Sequence, residues 1–226
     1  MNMNENEQVG YPSSNLSLVM IGAALIVIVS MLLWFSISQQ ERSVNLDAVT
    51  TVLGEPRPVP SFTLMDHHGN SFTQADLQGQ WTFLYFGYTA CPDVCPTTLG
   101  VLAGTHKILQ ERSVAMHPKF VFVSVDPGRD TQEQLAHYVP YFNPNFLGAT
   151  GTEDEILALA RSLGVVYRRS YEGDSEKNYL IDHSASVLLV DPKGRVVAVM
   201  SPPHDARSIA ENFRKIAGDK GALPAQ

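Results

Sequence analysis

An apolar run of strand type, Trp81 to Tyr88, passes straight into a short loop that holds both of the chain's cysteines. A strand apolar on both faces must be covered on both faces, so it belongs inside a sheet flanked by helices. Phe120 to Val125, closed by Asp126-Pro127-Gly128, is a second strand of the same kind. Between them Thr97 to Arg112 has helical spacing through Leu99, Leu102, His106 and Leu109. Strand, helix, strand in that order is the start of an α/β domain.

The rest of the chain extends the pattern. Phe62-Thr63-Leu64 and Ser71-Phe72-Thr73 flank Asp66-His67-His68-Gly69-Asn70 and predict a hairpin. Thr131 to Tyr138 predicts a short helix stopped by Pro140, and Glu153 to Leu163 a helix ended at Gly164. Ser186 to Val190 and Arg195 to Met200 predict strands joined by the tight turn Asp191-Pro192-Lys193-Gly194. Asp205 is a candidate N-cap for a last helix reaching about Ala217. This order is that of a thioredoxin-type α/β domain. Its chemistry sits where the central strand meets the next helix.

Before that domain, Leu16 to Ile37 is a run of 22 residues without a charge. As a helix it spans roughly 33 Å, enough for a bilayer core of about 30 Å. The serines in it (Ser17, Ser30, Ser36) form no polar face, and Trp34 stands near one end. A cleaved signal is the rival reading. Against it, the first fifteen residues hold no Lys or Arg, and the run is long for a signal. Arg42 is the one basic residue close to either end, too little to orient the anchor. Glu41 to Pro60, with Pro56, Pro58 and Pro60, reads as a stiff linker. The expected organisation is a tail over 1–15, an anchor over 16–37, a linker over 38–55, the domain over 56–217 and a loose tail over 218–226.

The formal net charge is −7 with no long basic run, which argues against nucleic acid as a partner. There is no heptad array and no internal repeat. Two cysteines with three residues between them do not make a disulfide scaffold. A lone close pair points to redox or metal chemistry.

Cys91-Pro92-Asp93-Val94-Cys95-Pro96 lies on the strand-to-helix junction. The positive end of a helix favours thiolate, and Pro96 suits a first helical turn. If the stretch is helical, both sulfurs share a face. Two thiolates select soft metals such as Cu(I), and one imidazole completes a trigonal site. His183, directly before a predicted core strand, is the candidate third ligand. Asp182 and Asp126 are candidate outer partners; Asp182 is either an acceptor that fixes the imidazole tautomer or only a turn residue.

Three stretches carry a resemblance. They are Gly87-Tyr88-Thr89-Ala90-Cys91-Pro92-Asp93-Val94-Cys95-Pro96, Phe122-Val123-Ser124-Val125-Asp126-Pro127-Gly128-Arg129-Asp130-Thr131, and Asp182-His183-Ser184. In that order and spacing the chain resembles the Sco/SenC family, membrane-anchored thioredoxin-like copper proteins, over about Pro56 to Ala217. The resemblance implies one copper, Cu(I) or Cu(II), on Cys91, Cys95 and His183. It implies help in assembling the binuclear copper centre of cytochrome c oxidase, with that enzyme's copper-carrying subunit and an upstream copper donor as partners. Such a protein is a binding and transfer module rather than a turnover enzyme. The alternative is a thiol–disulfide oxidoreductase using Cys91 and Cys95 alone. A thiol peroxidase fits the close pair and His183 poorly. The absence of an Arg- and Ser-rich leader points to a bacterial inner membrane with the domain in the periplasm.

Other residues invite a blander reading. His67-His68 reads as an exposed hairpin loop, since neighbours in extended chain point to opposite sides. His106 reads as partly buried packing, His117, His137 and His204 as isolated, and Met116 and Met200 as core. Asp126, Arg129 and Asp130 form either an outer or docking cluster or a turn with an internal ion pair. Tyr88 reads as a wall of the site.

Overall fold

The computed structural model describes residues 14–38, 49–111, 116–171 and 179–218. The chain separates into two units, residues 1–44 and 45–226. In the first, α1 runs over Ser14–Ser38 and contains the expected anchor. Its side chains are described over 20–32, where Met20, Ile26, Met31 and Leu32 are exposed. Among the described residues no helix is long and apolar enough to cross a membrane. The expected tail up to residue 13, Arg42 and the residues after Gly218 lie outside the described residues.

The second unit runs β1 (Thr50–Pro58), β2 (Thr63–Asp66), β3 (Ser71–Thr73), a 3-10 turn (Gln74–Leu77), β4 (Thr82–Gly87) and α2 (Val94–Glu111). It continues with β5 (Lys119–Ser124), α3 (Gln132–Phe142), β6 (Leu147–Thr150), α4 (Glu153–Ser162), β7 (Tyr167–Tyr171) and β8 (Tyr179–His183). It ends with β9 (Val187–Val190), β10 (Arg195–Met200) and α5 (Ala206–Ala217). Eight strands form one sheet in the order β1-β10-β9-β4-β5-β6-β2-β3, while β7 and β8 pair only with each other. β4, β5 and β6 are parallel. This is the expected α/β arrangement with its hairpin β2–β3.

Every residue of β4 is buried, as its unbroken run requires. Phe83 stacks on Phe120 at 4.9 Å and meets Phe213 of α5 at 5.4 Å, joining the two central strands to the last helix. Such rings bury the largest apolar areas available to a core. Thr152 caps α4 by a reciprocal pair with Glu155, and Asp205 caps α5 by accepting from Ser208 N at 2.9 Å.

The structure corrects several expectations. Residues 50–58 of the expected linker are an edge strand paired antiparallel with β10. Pro56 and Pro58 hid it. An edge strand tolerates proline, and the register shifts between Val52 and Arg57 to accommodate it. Pro140 lies inside α3 instead of stopping it. It sits in the last turn, where the missing N–H costs the helix a single bond. His67 is buried, accepting from Gly148 N through Nδ1 at 2.8 Å, so only its neighbour His68 is an exposed loop residue.

Candidate metal centre

Gly87 ends β4 and α2 begins seven residues later, at Val94. Cys91 lies in the connection and Cys95 in the first helical turn, so the expected shared helical face is realised by a loop and a helix end. Pro96 falls among the first four positions of the helix, whose N–H groups have no helical partner. Cys91 Sγ accepts from Cys95 N at 3.4 Å. Gly87 lets Cys95 Sγ pack against the strand: a Cβ there would lie 2.8 Å from the Phe122 ring and 3.0 Å from Cys95 Sγ.

His183 closes β8 rather than lying in a loop. Its Nε2 is 3.2 Å from Cys95 Sγ. Its Nδ1 is 3.2 Å from the Ser184 carbonyl oxygen. With Nδ1 donating there, Nε2 presents its lone pair to the sulfurs. The ligand atoms of Cys91, Cys95 and His183 all lie within 4.8 Å of one another. The three candidate ligands are therefore together, and both cysteines are free thiols. Tyr85 and Tyr88 flank the imidazole, at ring distances of 6.1 and 6.0 Å. A cleft of about 360 Å³ opens over the site between Tyr88, Pro92, Asp93, Leu180 and His183.

The two sulfurs are unlike. The Cys95 thiol donates toward Cys91 and holds its pKa well below the ordinary range. His183 and the Asp93 and Cys95 N–H groups act in the same direction, against burial. Cys95 is pushed up, first by that same pairing and then by its burial. Burial, and then Cys95, also raise Tyr85.

The two expected outer partners are elsewhere. Asp182 is exposed on β8 and does not accept from His183, because alternation turns it to the opposite face. Asp126 touches none of the three ligands. It is wholly buried and accepts from Arg129 Nε and, at 2.7 Å, from the Tyr179 hydroxyl. Asp130, also buried, accepts from Thr89 N, Thr89 Oγ1 and Ser124 Oγ at 2.9, 2.6 and 2.6 Å, tying the cysteine loop to β5. The turn after β5 thus combines an internal ion pair with contacts that reach the site's supports.

His106 is half-buried on Asn143, His117 and His137 are exposed, and His204 meets the Ala185 carbonyl oxygen at 2.7 Å. Met200 is buried and Met116 packs against the core. None of these joins the ligands. Tyr179 was not legible as a site residue, although the alternation Tyr179, Ile181, His183 carried a strand signal.

Fold and site together define a thioredoxin-like domain with two cysteines and one histidine converging at the strand-to-helix junction. The chain matches the SCO1/SenC family model over residues 51–218 and belongs to that family. It is 41% identical over 155 residues to the mitochondrial protein SCO1 homolog 1 of Arabidopsis thaliana, covering 68% of this chain and 45% of that protein. The chain thus spans under half the length of that relative. It is 31% identical over 206 residues to a SCO2-like protein of Rickettsia typhi, covering 89% and 98%. Among solved structures it is similar to copper-bound ScoI of Arabidopsis thaliana, with TM-score 0.66, 39% identity, and 70% and 98% of the two chains covered. Copper-bound yeast Sco1 is similar at TM-score 0.66 and 30% identity, with 75% and 92% covered.

Proposed function

We propose that this protein binds one copper ion through the Cys91 and Cys95 thiolates and the neutral His183 imidazole, and passes it on in the assembly of the binuclear copper centre of cytochrome c oxidase. The convergence of these three soft donors beneath an open cleft carries the reading. The relatives whose structures hold copper support it. The residues present fit the cargo. The Tyr85 hydroxyl is buried beside Cys95, where it can donate to that sulfur as a thiolate.

Each residue then has a part. Cys91 is the sulfur held ready as thiolate. Cys95, deeper, gives up its proton when the metal takes its place. His183 supplies the third donor from a separate strand. The cleft admits the thiolates or imidazoles of the copper-carrying subunit or of an upstream donor, which displace these ligands one at a time. Asp182, exposed at the rim, is available to such a partner.

The same reading includes a single-pass anchor over residues 16–37 in a bacterial inner membrane, with residues 56–217 in the periplasm. Its support is the 22-residue uncharged run in the sequence.

The unequal cysteines favour a second activity. The Cys91 thiolate attacks a target disulfide and forms a mixed disulfide, releasing one target thiolate. Cys95, deprotonated, then displaces the second, leaving a Cys91–Cys95 disulfide and a target reduced by two electrons.

Copper stoichiometry on the reduced full chain and its His183→Ala form separates the two. One copper per chain, with a Cu(II)–thiolate absorption weakened in the variant, is the expected result. Copper held equally by both forms removes His183 from the site. No copper in either, with ready cycling of the cysteine pair, leaves the oxidoreductase.

A further inference from the structure

His183 stands on a ribbon, β7–β8, that pairs with no strand of the main sheet. Two strands alone are marginally stable, so side contacts must set where the imidazole sits. Alternation along β8 puts Tyr179, Ile181 and His183 on one face and Leu180 and Asp182 on the other. Leu180 and Asp182 are exposed, while Ile181 is buried.

The inward face is held at two points besides the ligand. Ile181 N donates to the Tyr88 hydroxyl at 3.2 Å. The other point is larger. The Tyr179 hydroxyl donates to Asp126 Oδ1 at 2.7 Å, and Arg129 Nη1 donates to the Tyr179 carbonyl oxygen at 3.0 Å. The Arg129 guanidinium lies 3.8 Å from the Tyr179 ring centroid and 5.6 Å from that of Tyr88. Its Nε is paired with the wholly buried Asp126. Asp126 and Arg129 belong to the turn after β5, which Asp130 fixes to the cysteine loop through Thr89. The frame that holds the sulfurs thereby also grips the strand that carries the imidazole, four residues before His183.

We propose that Asp126, Arg129 and Tyr179 are positioning residues for His183: a latch that docks the β7–β8 ribbon and sets the imidazole against Cys91 and Cys95. The latch acts through His183 and does not touch the metal. It rests on the copper reading above.

Tyr179→Phe keeps the stacked ring and removes the hydroxyl. Arg129→Lys keeps the charge and loses the two-point grip. Each is made in the full chain and again in His183→Ala. Copper affinity is measured by chelator competition, with the Cu(II)–thiolate spectrum and, in copper-free protein, hydrogen exchange of the β8 amides. In the parent we expect affinity to fall about tenfold or more, the lower end of what is lost when a metal ligand is no longer held in orientation. We also expect the absorption band to shift and the β8 amides to exchange faster. In the His183→Ala background neither substitution should change affinity further. Equal losses in both backgrounds, or no loss in the parent, overturn the latch. If His183→Ala alone leaves affinity at the parent value, the copper reading fails and the latch with it.

Discussion

At the residue scale the two sulfurs are set apart by what donates to them. Cys91 accepts from its partner thiol and from the Asp93 and Cys95 N–H groups, so its pKa is held down while that of Cys95 is held up. An ordinary thiol, with a pKa of about 8.5, is almost wholly protonated at about pH 6. In the reduced, copper-free chain at that pH, iodoacetamide should therefore modify Cys91 and spare Cys95, as peptide mapping would show. Raising the pH through the ordinary thiol range should change the Cys91 rate little, since its thiolate is already formed. Equal labelling would contradict the asymmetry. The three candidate ligands were legible in the close cysteine pair and, for His183, in its place before a core strand and the Asp182-His183-Ser184 stretch that carries the resemblance. Their supports were not. Tyr179 lies 53 residues from Asp126, and nothing local signals such a contact. Asp182 misled because adjacency in sequence suggested contact, whereas in a strand the adjacent side chain points away.

At the element scale the turn between β9 and β10 depends on Asp191. Its Oδ1 accepts from Lys193 N and Arg195 N, each at 3.0 Å, and its Oδ2 accepts from the Arg195 guanidinium. Burial resists ionisation, but these donors outweigh it and hold the carboxyl below its usual range. The folded state then binds this proton more weakly than the unfolded chain does. The contribution is full above the unfolded pKa of about 4 and is lost as pH falls through the lowered value. Asp191→Ala should cost about 1–3 kcal/mol at neutral pH in a denaturant melt, with the difference from the parent shrinking in acid. A variant equal in stability to the parent would show the turn to be held by chain geometry alone. Elements with long apolar runs, β4, β5, β9 and β10, were readable from the sequence for one reason: burial on both faces demands such runs. β6 and β7 were not. β6 is four residues containing Gly148, and β7, Tyr-Arg-Arg-Ser-Tyr, has no apolar face to reveal it.

At the scale of the whole molecule, β1 covers one edge of the eight-stranded sheet, and reading residues 50–55 as linker would place a domain boundary through it. A chain beginning at Val59 should leave β10 as a bare edge, with a lower melting temperature and a rise in light scattering. A truncated chain that melts with the parent and stays monomeric would restore the linker reading. The same pairing also has a temporal side. Thr50 is bonded across the sheet to Met200, so β1 leaves the ribosome some 150 residues ahead of its neighbour. At about 5–20 residues per second that interval is on the order of ten seconds. Throughout it β1 waits without a partner, and Pro56 and Pro58 leave it two N–H groups short for any other chain to capture. The residues that disguise this strand as linker thus also protect it during synthesis.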